Sequence, residues 1–359
     1  MATVTNNLPR TTFRIRYNPR PMDRSLAVAA PSTTRERFVL HRALAAPAST
    51  FAEDVRRGLT ATPKFLLPQY FYDALGSALF SAICELPEYY VTRAEDEILR
   101  TNAAEIAAAF GPYVRIAELG SGSARKTQHL IDAILNRQPS LDFFPIDVDA
   151  GVLASSSREL LNAYPHLSIT AICGDFRDPA ALLRPYLPPS DVRTVILFLG
   201  SSIGNLDPAA AGAMLANLRT ALTSGDALFL GADLRKPPSI VEPAYDDALG
   251  VTAAFNRNVL VRINRELGGT FDLASFDHRA FYNAPEGRIE MHLVSKIAQR
   301  VLIDGYEIAF DEGESIHTEN SHKYDVTTLA ALAAAGNFRI ERQWTDSNGY
   351  FADLLLVAE

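Results

Sequence analysis

The segment Glu118-Leu119-Gly120-Ser121-Gly122-Ser123 sets two glycines behind an acidic residue, between an apolar run and a helix-like stretch. Glycine lets a backbone turn tightly and approach a ligand closely, because no Cβ intervenes. A dinucleotide-binding turn needs a third glycine where this chain has Arg125. An acidic residue two positions before the first glycine suits a nucleoside ligand with no pyrophosphate to cradle. S-adenosyl-L-methionine (AdoMet) is such a ligand, and an ordinary strand-to-helix turn is the alternative for this motif alone. Asp147 closes the next apolar run, where a carboxylate can accept both ribose hydroxyls. In Gly174-Asp175-Phe176, after the third run, Asp175 can accept from an adenine amino group and Phe176 can pack on the ring. Asp149 and Asp178 are better helix-capping candidates. Three carboxylates at successive strand ends are therefore hard to explain as caps alone.

Four further stretches are dense in polar and aromatic residues. Residues 71–95 carry Tyr72, Tyr89 and Tyr90, and residues 200–208 carry Asn205. Residues 242–267 carry Tyr245, and residues 317–325 carry Glu319, Ser321 and Lys323. Each tyrosine taken singly reads equally as a core residue with its hydroxyl at the surface. A serine hydrolase is not expected. The 7 histidines are scattered, and His317 and His322 have no evident third ligand, so no metal is expected.

These residues need a scaffold, and the apolar patterning supplies one. From residue 114 to 234, apolar runs alternate with stretches of helical period: 114–120, 125–136, 141–148, 149–164, 167–176, 194–200, 208–223 and 226–234. Such alternation indicates a parallel sheet with helices on both faces. Residues 239–267 read as helical. Residues 279–305 read as strands around a Pro-Glu-Gly turn, and 338–359 as a hairpin around Ser-Asn-Gly. A doubly wound sheet closed by a C-terminal antiparallel hairpin is typical of AdoMet-dependent methyltransferases. An NAD-dependent oxidoreductase stays open on fold grounds, although the missing third glycine and the hairpin count against it.

Composition sets the outer bounds. At 359 residues and 48% hydrophobic, the chain can bury a core without disulfide or metal staples. A net charge of −8 argues against neutralising nucleic-acid phosphates, and no apolar run reaches membrane-spanning length. Cys84 and Cys173 lie far apart, which favours a reducing, cytoplasmic setting. Residues 1–37 hold seven arginines against two acids, read as a disordered basic tail, with an organelle transit peptide left open.

From about residue 50 to the C-terminus, "LPEYYVTRAE", "ELGSGSARKT", "GSSIGN", "AYDDALGVTAAFNRNVL" and "RIEMHL" occur in family order. On these motifs the chain resembles the histidine-specific Nα-methyltransferases of ergothioneine biosynthesis. The resemblance implies a Rossmann-like class I AdoMet fold with an inserted α+β substrate-binding unit. The AdoMet unit is expected over 94–235 and 324–359, and the substrate unit over 38–93 and 236–323. The implied reaction is up to three AdoMet-dependent methylations of the histidine α-amino group, giving hercynine and S-adenosyl-L-homocysteine. Another amino acid, such as tryptophan, is the alternative substrate, and an AdoMet-binding protein without turnover is the non-catalytic alternative.

The resemblance also implies roles. Asn205 and Tyr245 match residues that hold the substrate carboxylate, and Tyr89, Glu319 and Ser321 match residues around the imidazole. Tyr72 matches a tyrosine near the reacting amine. Gly120, Lys126, Asp147, Asp175 and Phe176 match cofactor-binding positions, to which the motif adds Glu118, Ser121 and Gly122. Met291 either closes the apolar side of the pocket or fills core. Asn320 and His322 depart from some family members, and alternation along an extended segment directs them away from the pocket. A monomer acting on a free amino acid, with no nucleic-acid or membrane partner, is expected.

Overall fold

The computed structural model describes residues 37–43, 49–188 and 190–359. The basic tail expected over 1–37 lies outside them, except for Arg37. Its guanidinium donates to the carbonyls of Leu167 (3.1 Å) and Leu161 (3.0 Å), so it belongs to the folded body.

In chain order the strands are β1 (Phe38–Arg42), β2 (Lys64–Phe65), β3 (Val114–Leu119), β4 (Leu141–Asp147), β5 (Leu167–Cys173), β6 (Arg193–Phe198), β7 (Ala227–Asp233), β8 (Phe276–Asn283), β9 (Arg288–Ser295), β10 (Gln299–Ile303), β11 (Tyr306–Phe310), β12 (Ser315–His322), β13 (Phe338–Thr345) and β14 (Phe351–Ala358). The large sheet runs β1-β5-β4-β3-β6-β7-β14-β13. β14 inserts antiparallel between β7 and β13, and the other pairs are parallel. This is the class I AdoMet methyltransferase arrangement. The central strands are nearly continuous apolar runs because helices cover both faces; all of β7 is buried. The helix Tyr90–Phe110 packs Ile98, Leu99, Ile106 and Phe110 inward, with Phe110 5.3 Å from Phe229 between ring centroids. It begins at the second residue of the Tyr89-Tyr90 pair.

The second unit is a four-stranded sheet, β2-β12-β9-β8, against which the helix Val251–Leu267 packs. That helix also meets the helix Ala74–Cys84. Gly76 lets its helix sit tightly on the preceding turn and on that partner: a Cβ there would lie 1.7 Å from the Phe71 carbonyl oxygen and 3.1 Å from Asn258 Nδ2. The expected grouping of 38–93 with this unit differs from the structure at its start. Phe38–Arg42 pairs in parallel with β5 and extends the large sheet, because its short apolar run covers an open edge.

The chain leaves the large sheet at β7 and returns beside the same point. Leu234 and Tyr324 form a parallel bridge, and Tyr324 N–H donates to the Asp233 carbonyl at 2.8 Å. No helix among the described residues is long and apolar enough to cross a membrane.

Candidate active site

The glycine turn follows β3. Gly120 and Gly122 have φ of 69° and 49°, in the left-handed region that glycine tolerates. Ser121 N–H donates to the Ile146 carbonyl (2.9 Å), and Gly122 N–H to Asp147 Oδ2 (3.0 Å), so the turn is fastened to the end of β4. Asp147 Oδ1 accepts from Asp149 N–H, while Asp149 caps the helix Ala150–Ala163 and Asp178 caps Pro179–Leu183. Phe176 lies over the turn, 3.5 Å from where a Gly120 Cβ would sit, and meets Phe198 edge-on. A Cβ on Gly122 would meet nothing within 4 Å, so that backbone faces open space.

Glu118, Asp175 and Lys126, like Asp147, are engaged with the protein itself. Both Glu118 oxygens lie 2.8 Å from Thr127 Oγ1, and burial pushes the carboxyl up to about 8. Glu118 thus braces the start of the following helix rather than offering free oxygens. Asp175 accepts from Arg177 N–H (2.9 Å) and Nε (2.6 Å) across a tight turn. Lys126 pairs with Glu95, whose other oxygen accepts from Gly200 N–H at 2.7 Å. Burial works against the Lys126 ammonium, but Glu95 outweighs it and holds the group above its ordinary range. Glu95 therefore ties the glycine turn to the loop after β6.

That loop opens on a cavity between the two sheets' ends. Tyr72, Tyr89, Asn205, Tyr245, Met291, Glu319 and Ser321 all line it. Tyr72 follows a 3-10 turn, Tyr89 precedes the helix Tyr90–Phe110, and Asn205 ends the turn Ser202–Asn205. Tyr245 follows the turn Glu242–Ala244. Met291 on β9 is paired with Glu319 on β12. The tyrosines form an aromatic box with Phe80 and Phe255, with ring centroids 5.6–6.1 Å apart. Sequence reasoning missed both phenylalanines, whose helical spacing looks like ordinary core.

Burial dominates the electrostatics. It holds the phenols of Tyr72 and Tyr89 well above their usual range. It raises Glu319 to about 7, against the opposing pull of Lys323 and the Asn205 amide. Lys323 is the larger omission from the sequence reading: its ammonium lies 2.8 Å from Tyr245 Oη and from Ser321 Oγ, directly under the cavity.

A bulge between His317 and Glu319 shifts the register of β12. It keeps Glu319 and Ser321 on the cavity face and turns His317 to the opposite face, stacked on His292 at 4.6 Å. Asn320 Nδ2 reaches Asp207 at 3.4 Å and His322 Nε2 lies 3.6 Å from it, away from the cavity as alternation requires. The partners of His317 are therefore not those considered from sequence. Among the described residues, ligand atoms of Glu290, His292 and His317 converge within 4.8 Å. Glu290 is already engaged: Oε1 accepts from Asn283 (2.8 Å) and Arg288 (2.9 Å), and Oε2 meets His292 (3.1 Å). These bonds overcome burial and bring its carboxyl down to about 2.

A family model described as histidine-specific methyltransferase, SAM-dependent, matches residues 51–358. The chain is 46% identical over 86% of its length to the histidine N-alpha-methyltransferase of Mycolicibacterium smegmatis, covering 95% of that protein. It is 46% identical over 83% of its length to that of Mycobacterium tuberculosis, covering 92%. It is 29% identical over 80% of its length to ergothioneine biosynthesis protein 1 of Schizosaccharomyces pombe, of which it covers 38%.

Proposed function

The chain belongs to the family of histidine-specific, SAM-dependent methyltransferases, and from that premise we propose how its residues divide the work. The protein methylates the α-amino group of L-histidine, giving hercynine, the first step toward ergothioneine. AdoMet supplies a methyl group on a positively charged sulfur and leaves as S-adenosyl-L-homocysteine.

The residues around the glycine turn fit that group. Ser121 Oγ is buried and has no partner among the described residues, Gly122 faces open space, and Phe176 presents an apolar ring. We assign the ribose to Asp147, the adenine to Phe176 and Asp175, and the remaining polar contacts to Gly120, Ser121 and Lys126. Glu118 acts indirectly, by bracing the turn.

On the substrate side, Asn205 and Tyr245 hold the carboxylate. Glu319 accepts from one imidazole nitrogen, and Ser321 bonds to the other. Tyr72 stays a neutral phenol because burial disfavours its anion, so its part is to orient the amine by hydrogen bonding rather than to ionise as a base. Tyr89, Phe80 and Phe255 offer ring faces and edges to a centre that gains positive charge at each methylation, at roughly 0.5–2 kcal/mol per well-placed ring. Met291 closes the apolar side. Positioning of this kind can supply several kcal/mol, up to about 7–11 in well-oriented systems. Glu319 and Ser321 together suit a ring with two nitrogens, which supports histidine over tryptophan, whose indole offers a single N–H and leaves one of the two side chains unpaired.

The observation that carries the reading is that seven residues from five separate stretches line one cavity, which the Glu95 bridge joins to the glycine turn. Two free cysteines are consistent with a cytoplasmic enzyme, which we read as a monomer. Purified protein given AdoMet and each amino acid in turn should yield mono-, di- and trimethylhistidine by mass spectrometry. Absence of methylated histidine overturns the reading.

A further inference from the structure

Lys323 is completely buried, and its three N–H donors are all committed. Nζ lies 2.8 Å from Tyr245 Oη, 2.8 Å from Ser321 Oγ and 2.7 Å from Asp233 Oδ2. It therefore touches no ligand directly. Its effect passes through two hydroxyls, one from each half of the substrate cavity.

Proton counting shows what that effect is. Both hydroxyl oxygens accept from the ammonium, so neither hydroxyl can donate back to it. Tyr245 Oη and Ser321 Oγ are 2.8 Å apart, so one of the two protons lies between them. The other has the cavity to point into. The Lys323–Tyr245–Ser321 triad thus offers the cavity one outward hydroxyl donor with an ammonium behind it.

Asp233 also pairs with Lys236 and accepts from Tyr90 Oη at 2.8 Å. It is shared by two lysines, and burial, with the Lys323 charge, lowers Lys236 to about 8 against the pull of Asp233 and Asp346. On the cavity side, Glu319 is the acid that feels the Lys323 charge. A buried ion pair is by itself weak evidence for a stabilising role.

We propose that Lys323 is a positioning residue that makes the cavity a receptor for an α-carboxylate, by fixing the Tyr245 and Ser321 protons and backing them with positive charge, so that the site prefers an amino acid to its decarboxylated amine. This rests on the histidine reading, in which Tyr245 holds the carboxylate.

The test is calorimetric titration of histidine and of histamine, which lacks the carboxylate, into protein saturated with S-adenosyl-L-homocysteine. Lys323→Met should shrink the histidine-over-histamine preference by about tenfold or more, the worth of a hydrogen bond to a charged group. In a Tyr245→Phe background the same substitution should change the preference by less than about twofold, since the coupling runs through the phenol. Equal weakening of both ligands by Lys323→Met, with the preference intact, overturns the proposal. If that variant fails to fold, Asp233→Asn decides: it keeps the Lys323 charge and removes its counter-ion, so the preference should be kept or increased, and a collapsed preference overturns the proposal. Wild-type protein that binds no histidine refutes the functional reading itself, whereas wild-type that binds histidine with a preference indifferent to Lys323 refutes only this proposal.

Discussion

Asp353 on β14 is fully buried, and neither carboxyl oxygen has a hydrogen-bond partner among the described residues. A Cβ on Gly231 would lie 2.2 Å from Glu95 Oε1 and 3.2 Å from Asp353 Oδ1, so the two acids converge over that glycine. Glu95 is committed to Lys126 and to Gly200 N–H. Burial, and then the Glu95 charge, hold Asp353 well above the usual carboxylate range. In the unfolded chain an aspartate ionises near pH 3.9. The folded protein therefore keeps a proton that the unfolded chain releases, and stability falls as pH rises from about 4 toward the folded value. The fall is about 1.36 kcal/mol per pH unit for as long as the folded acid keeps its proton. Asparagine has nothing to ionise and can donate to Glu95. Asp353→Asn should consequently gain stability relative to the parent protein as pH rises above the ordinary aspartate range. Urea unfolding of both proteins at pH 5, 6 and 7 measures it, with the difference in midpoints widening as pH rises. A difference that does not change with pH would mean that Asp353 is ionised in the fold and shares Lys126, and the protonated-acid reasoning would be wrong.

Glu319, raised to about 7, must be ionised to accept from the imidazole. Histidine affinity measured by calorimetry should rise between pH 6 and 8 relative to that of Glu319→Gln; parallel pH profiles would refute this. Gly120→Ala imposes a φ near +69° on a residue with a Cβ. It should cost about 1–2 kcal/mol of stability and weaken S-adenosyl-L-homocysteine binding; a variant melting and binding like the parent would show that the turn relaxes freely. Dialysis against a chelator should leave the methylation rate unchanged, because Glu290 already spends its oxygens on Asn283, Arg288 and His292. A rate restored only by a divalent ion would place a metal on the Glu290–His292–His317 face.

The large sheet was legible because its strands are apolar runs of strand length separated by helical periods, and both hairpins announced themselves through Pro-Glu-Gly and Ser-Asn-Gly. The short strands Phe38–Arg42 and Lys64–Phe65 escaped notice because so few residues carry no usable period. The cavity tyrosines were found through the family motifs, since by type alone each resembles core. Simple alternation would have put His317 on the same face as Glu319, and the bulge that separates them leaves no mark in residue type. Lys323 sat in view within a polar stretch, but burial of its ammonium depends on Asp233, which is distant in sequence. Asp353 did leave a signal: one acid inside the apolar run ADLLLVA has to be partnered or protonated.

The position of β14 also orders the assembly of the protein in time. This strand fills the gap between β7 and β13, yet it follows both of them, and the whole inserted unit, along the chain. Until it arrives, β7 presents an unpaired apolar edge, the kind of surface that recruits other chains. The inserted unit is therefore made while the AdoMet sheet is still open. The β7–β14 pairing that closes the sheet is a long-range contact, the class of pairing whose loop-closure entropy slows folding.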